Sequence, residues 1–347
     1  MPRRYTELSI AAATAYAQLQ TAALGSELSR DVSHLHGSYS TKRVKGTVQW
    51  YFSFREQDRV RQIYVGPDNE AIRALVTRAQ TSQARQQLIP LAKSALALGC
   101  TAVQRKHLGV VLRLNEFGFF RAGGVLVGTH AFLAYANQLG VKWRDSEQTS
   151  DVDLAHAGRN VSIALPGNID ATPHSALTTM EQGFLPLVQY RGQAGASYRH
   201  PEEPDFQVDF LTPRTSKSDE PVMVEHLDVA LQPLRFMEFS LEDVQQATLF
   251  DATGRCVVVS IPAPPRYAIH KLLVVGERAG AFRAKVSKDV AQAAALLEYL
   301  SQTDPDSAID AWKDALGRGP GWRRRALEGR RALAALEPAL ANALLSE

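Results

Sequence analysis

Asp151, Val152 and Asp153 form an Asp-x-Asp step, and a further carboxylate, Asp209, stands inside the run Phe206-Gln207-Val208-Asp209-Phe210-Leu211. On an extended segment successive side chains alternate, so Asp151 and Asp153 share a face and concentrate two negative charges there. Such a pair is costly unless something positive binds it. A third carboxylate on a neighbouring strand completes an all-oxygen donor set suited to Mg²⁺ or Mn²⁺. Three acidic donors are the ingredients of two-metal chemistry, in which one ion sharpens an attacking hydroxyl and the other neutralises a leaving pyrophosphate.

Upstream, Arg121-Ala122-Gly123-Gly124-Val125-Leu126-Val127-Gly128-Thr129 reads as a short strand, a tight turn and a helix start. Gly128 lets backbone approach a phosphate closely. Thr129 is expected to cap the helix and offer a hydroxyl, and the helix through Ala131 to Leu139 aims its first N–H groups at an anion.

Each of these pieces is common by itself, and the reading rests on their order and their apolar flanks. In that order the chain resembles the polymerase-β-like nucleotidyltransferase superfamily over about residues 111–265, and "GGVLVGTHAFLAYANQLGV" with "TSDVDLA" looks most like a bacterial branch related to abortive-infection, toxin-type transferases. Two departures stand out: Thr129 occupies a position where Ser or Gly is commoner, and the gap from Thr129 to Asp151 is longer than in compact members.

The resemblance implies an α+β nucleotidyltransferase fold, a mixed sheet flanked by helices, and an NTP as co-substrate. Asp151 and Asp153 would hold both ions, while Asp209 would ligate the catalytic ion and take the acceptor proton. Gly128 and Thr129 would seat the triphosphate. The helical phrases "RYAIHKLLV" and "AKVSKDVAQA" make Lys271 and Lys288 the candidates for the β- and γ-phosphates, although surface lysines read the same way. An RNA end, tRNA in particular, or a protein hydroxyl is the favoured acceptor, and the toxin-type likeness leaves room for an antitoxin partner. A small-molecule acceptor, as in antibiotic-modifying relatives, and an inactive nucleotide-binding module are the alternatives.

The elements that must position these residues divide the 347-residue chain into an accessory helix and β-hairpin module (1–110), a transferase core (111–265) and a C-terminal helical domain (266–347). Residues 5–24 have helical spacing closed by Gly25-Ser26. Lys42-Arg43-Val44-Lys45-Gly46, the aromatic run Trp50 to Phe54 and Gln62-Ile63-Tyr64-Val65-Gly66-Pro67 read as hairpin strands, and 69–106 as two helices split near Pro90. Lys42, Arg43 and Lys45 could meet phosphates while Trp50 or Tyr51 stacks on bases, but strand aromatics are usually core.

A long loop is expected between the first carboxylates and Asp209. It contains Gly158, Pro166-Gly167-Asn168 and the polar stretch Arg191 to Pro204, and Tyr198, Arg199 and His200 near its end are candidates for acceptor contact. Near the C-terminus Arg323, Arg324, Arg325, Arg330 and Arg331 could hold an RNA backbone, or form the polar face of a helix whose apolar side is Leu327, Leu333 and Leu336.

A hydrophobic content of 45% supports a substantial core, and a net charge of +3 permits a nucleic-acid or nucleotide partner without requiring one. Cys100 and Cys256 lie far apart, and the nine histidines lack a His-Glu-x-x-His spacing, which argues against disulfide scaffolds and zinc hydrolases. No apolar run has the length of a membrane span or a signal-peptide core, so a cytoplasmic protein without a membrane partner is expected.

Overall fold

The computed structural model describes residues 3–28, 37–44, 46–56, 59–73, 76, 83–144, 149–157, 172–180, 183–188, 194–277 and 283–346. Lys45, Gly158, Pro166-Gly167-Asn168 and Arg191, singled out above, lie outside them. In chain order the elements are β1 (Tyr5–Glu7), α1 (Ile10–Leu28), β2 (Gly37–Val44), β3 (Thr47–Glu56), β4 (Arg59–Pro67), α2 (Gln83–Ala97), α3 (Arg105–Glu116), β5 (Val125–Leu126), α4 (Gly128–Gln138), β6 (Val141–Trp143) and β7 (Val152–Ala155). They continue with α5 (Pro173–Thr178), β8 (Leu185–Val188), β9 (Ala194–Arg199), β10 (Gln207–Pro213), β11 (Val222–Val224), β12 (Val229–Leu234), α6 (Met237–Leu241), β13 (Val244–Phe250) and β14 (Cys256–Pro262). The helices α7 (Pro264–Glu277), α8 (Arg283–Thr303), α9 (Pro305–Gly317), α10 (Pro320–Leu336) and α11 (Pro338–Leu344) complete the chain.

The fold is α+β. Its main sheet is mixed, in the order β11-β12-β10-β7-β5, with β9 sharing one edge of β10. β10 runs parallel to both β7 and β12, and β5 and β11 close the path antiparallel. The pleat sorts the side chains. Val152 and Leu154 on β7, and Val208 and Phe210 on β10, are fully buried, whereas Asp153 and Asp209 project from the opposite face.

A single hydrophobic cluster joins this sheet to the C-terminal helices, from Tyr5 and Leu126 through Phe210 and Tyr267 to Trp312, Leu333 and Leu345. The helices beyond residue 265 therefore share the core of the sheet that precedes them. A second cluster packs α1 and α2 against Phe250 and Val258 of the β13-β14 hairpin.

Several expectations change. The chain opens with a strand, because Tyr5 pairs with Trp143 across β1-β6 and sets its ring edge-on against Tyr299; the helix then runs through Gly25-Ser26 to Leu28. α2 continues through Pro90, which lies on its exposed face, where a carbonyl freed by the missing N–H can reach water. The expected long loop contains α5, β8 and β9, because β10 offers β9 an open edge at Gln207 to Asp209. Tyr198 and His200 are core residues: the Tyr198 hydroxyl lies 2.9 Å from His174 Nδ1, and His200 stacks on Phe206 and accepts the Glu203 N–H at 3.0 Å.

Candidate active site

Asp153 and Asp209 are register partners on the parallel strands β7 and β10, and Ser197 of β9 is the partner of Asp209 on its other side. Partners across a ladder point to the same face, so two carboxylates and a hydroxyl stand in a row. The Ser197 hydroxyl faces Asp209 and favours its charged form. Asp151, one residue before β7, is half-buried and held by its neighbours, with Ser150 Oγ 3.3 Å from its Oδ1 and Thr149 Oγ1 accepting its N–H at 3.4 Å.

Gly128 lies over Asp153. Its φ is +59°, and a Cβ built there would come within 2.0 Å of Asp153 Oδ2. Both the left-handed backbone and the close approach exclude any larger residue. Val127, just before it, donates its N–H to Asp153 O at 3.0 Å, which stitches the turn to β7.

Gly128 opens α4, and the N-cap is Val127 with no side-chain cap. Thr129 therefore does not cap the helix as expected. Its side chain is buried and its Oγ1 accepts from Gln292 Nε2 at 3.4 Å. With no side chain spent on the first turn, its N–H groups and positive dipole end remain directed at the sheet's carboxylate edge. Tyr267 of α7 locks the turn from behind: its hydroxyl lies 2.9 Å from both Gly128 O and Gln292 Oε1, acceptors that share its one hydrogen.

The electrostatics follow from this crowding. Burial pushes the Asp153 carboxyl up to about 6, and the charges of Asp209 and Asp151 push the same way against Lys271 and Lys285. Asp209 is also raised, first by burial and then by Asp151, with Ser197 and Lys285 opposing. Negative charge is thus in excess at the site.

Lys271 reaches it from α7, where its Nζ bonds Asp289 of α8 at 2.7 Å and sits 5.2 Å from the Tyr267 ring centre. Lys288 bears on the first turn of α4 beside Thr129: its charge acts on His130, a buried imidazole 3.0 Å from His107 and driven down to about 3, chiefly by burial. Lys285, which the sequence reading passed over, is the exposed lysine whose charge bears on both Asp153 and Asp209. Its signal was the polar stripe Lys285, Asp289, Gln292, at helical spacing along an Ala-rich helix. Ser197, Tyr267 and Gln292 carried no comparable signal.

The donor set fits a hard divalent cation in chemistry: the ligands are all oxygen, three are carboxylates, and a cation would offset both the burial and the repulsion that raise Asp153. As the side chains stand, no three such groups among the described residues form a ready-made metal cage.

A sequence model of the family described as nucleotidyltransferase matches residues 105–317, more than half of the chain. The chain belongs to this nucleotidyltransferase family. The matched span holds the Gly128 turn, the three aspartates, Lys271, Lys285 and Lys288, and it extends past the sheet into α9. No curated protein matches this nucleotidyltransferase in sequence. Among solved structures, the crystal structure of an antigenic nucleotidyltransferase-like protein from Paracoccidioides brasiliensis is similar at 16% identity, with a TM-score of 0.33, over 70% of this chain and 94% of that one. Among the described residues no helix is long and apolar enough to cross a membrane.

Proposed function

We propose that this nucleotidyltransferase moves NMP from an NTP to an acceptor hydroxyl with release of pyrophosphate. The observation that supports it best is the placement of Asp153 and Asp209 side by side on adjacent strands, beneath a glycine turn that opens a helix. The acceptor oxygen bonds to the α-phosphorus as the bond to the β-phosphate oxygen breaks, and the hydroxyl proton passes to Asp209 directly or through water. Mg²⁺ or Mn²⁺ held by Asp151, Asp153 and Asp209 would supply charge neutralisation at the reacting oxygens.

The chain's own groups supply the rest. The first-turn amides after Gly128 seat the triphosphate, and Thr129 is held by Gln292 so that the turn keeps its shape. Lys271 and Lys285 offset charge as the pyrophosphate leaves. Lys288 lies further along α8 and is assigned the outer phosphate. We place the protein in the cytoplasm.

An RNA end, with tRNA foremost, or a protein hydroxyl is the favoured acceptor, on the toxin-type likeness of "GGVLVGTHAFLAYANQLGV" and "TSDVDLA". That likeness also leaves room for an antitoxin partner. The test is transfer of α-³²P from each NTP, with Mg²⁺ or Mn²⁺, into RNA, protein and small-metabolite fractions, by wild type and Asp209→Ala. Label with wild type alone establishes the reaction and its acceptor class. A small-metabolite product would move the chain to the antibiotic-modifying type, and label in no fraction would leave a nucleotide-binding module.

A further inference from the structure

The three strands β2, β3 and β4 form an antiparallel sheet of their own. None of its described side chains belongs to any of the hydrophobic clusters, and none of them is buried. Yet it carries Tyr39, Trp50, Tyr51, Phe52 and Tyr64. A small sheet gains stability by covering a face, and aromatics left half in water forgo most of their burial energy, so this pattern marks a contact surface.

Charge says what kind of contact. Residues 37–67 contain six lysines and arginines against two acids, a net +4 in a chain whose total is +3, so all the remaining residues together are slightly acidic. The register then sorts the side chains. Ser40 pairs with Tyr51, Lys42 with Gln49, Tyr51 with Tyr64 and Ser53 with Gln62, which puts Lys42, Tyr51 and Tyr64 on one face.

On that face Tyr64 is 51% exposed and meets Tyr51 edge-on at 5.6 Å, while the Lys42 ammonium lies 5.3 Å from the Tyr51 ring centre and bonds Gln62. Trp50 and Arg43 project from the other face, and Trp50 is tied to Asp68 at 2.8 Å. Of the two rings that the sequence offered, Tyr51 shares its face with Lys42 and Tyr64 and Trp50 does not. Gln49, Ser53 and Gln62 surround the two tyrosines with polar groups, so among the described side chains no aliphatic patch of the kind that anchors a protein partner adjoins the rings.

We propose that the β2-β3-β4 sheet is a platform for single-stranded nucleic acid, with bases stacking on Tyr64 and Tyr51 and Lys42 meeting the adjoining phosphate. Flat exposed rings beside a fixed ammonium on a basic sheet suit unpaired bases of any sequence. This deepens the transferase reading by naming a nucleic-acid strand as the acceptor class, and rests on it only for what happens to the strand once bound.

The experiment is fluorescence anisotropy of the full chain, carrying Asp209→Ala so that no transfer intervenes, with short labelled single-stranded RNA, DNA of the same sequence, and the duplex. Single strands are expected to bind more tightly than duplex, with affinity falling at least about tenfold between roughly 50 and 200 mM salt. Tyr64→Ala should weaken binding by about tenfold or more, Tyr64→Phe should restore it because the ring face does the stacking, and Lys42→Gln should lower the salt slope by about one. A preference for RNA or for DNA identifies the source of the strand.

Absence of binding at low salt, binding unchanged by Tyr64→Ala, or equal competition by polyglutamate, which marks a general anion-binding or protein-docking surface, would each overturn the platform. Strand binding without label transfer by wild type would overturn the transferase reading and leave the platform standing.

Discussion

The Asp153 carboxyl sits in a bind set by its neighbours: a glycine turn over it, Asp209 across the ladder and Asp151 two residues back. Its folded pKa, about 6, lies above the 3.8 of a free carboxyl, so the folded protein holds that proton more tightly than the unfolded chain does. The metal-free protein should therefore lose stability as pH rises from 3.8 through about 6 and change no further from this group above it. Asp153→Asn mimics the protonated state. It should raise the metal-free melting temperature by about a few degrees above pH 6, by relieving the cost of burying that charge beside Asp209 and Asp151, and give no gain at pH values below the free carboxyl's. A pH series of thermal melts checks this, and nucleotide transfer by the variant should be abolished. A fall in melting temperature at high pH would mean that the carboxylate is structural.

At the scale of elements, the site depends on how α7 is held. α7 and α10 cross at their glycines: a Cβ at Gly276 would lie 2.3 Å from Arg325 O, and one at Gly329 would lie 2.2 Å from Leu272 O. Gly329→Val should cost about 1–3 kcal/mol or more through overpacking, and should reduce turnover by loosening the helix that carries Tyr267 and Lys271. Gly321→Ala, on the same helix with open space around it, is the control and should leave melting and turnover near wild type. The two lysines that act on Asp153 should separate by the same logic. Lys271→Ala removes the ion-pair partner of the buried Asp289 and should destabilise by about 3–5 kcal/mol, whereas Lys285→Ala, on an exposed residue, should leave melting unchanged and weaken NTP binding. Denaturant melts beside nucleotide titrations distinguish them.

At the scale of the molecule, the ends of the chain are fastened to each other and to the core. Arg4 donates its backbone N–H to Glu298 at 2.8 Å and its guanidinium to Glu337 at 2.7 Å; Tyr299 donates to Leu139 O at 3.1 Å, and Tyr135 sets its ring edge-on against Tyr267. A fragment ending at residue 265 would expose the faces of Phe132 and Tyr135 that Tyr267 of α7 covers. It should bind a hydrophobic dye and melt without a cooperative transition, although its strand sequences are complete. A cooperatively melting fragment would show that the sheet region folds by itself.

Local information was enough to put Asp153 and Asp209 in strands, because each stands among alternating apolar residues; Asp151 falls one residue before its strand. The glycine turn and the hairpin strands were equally legible, since Gly128 and Gly46 mark turns by their lack of a side chain. What sequence could not supply was pairing. That Asp209 lies against Asp153, that β9 inserts Ser197 beside it, and that Lys271 and Lys285 bear on Asp153 depend on contacts between residues tens of positions apart. The same holds for Thr129, whose hydroxyl turned to Gln292 in place of its own helix, and for Trp50, claimed by Asp68. Spacing along the chain sets which face a side chain takes within its own element; only packing between elements sets what it meets there, because burial and partner choice are decided by the whole core at once.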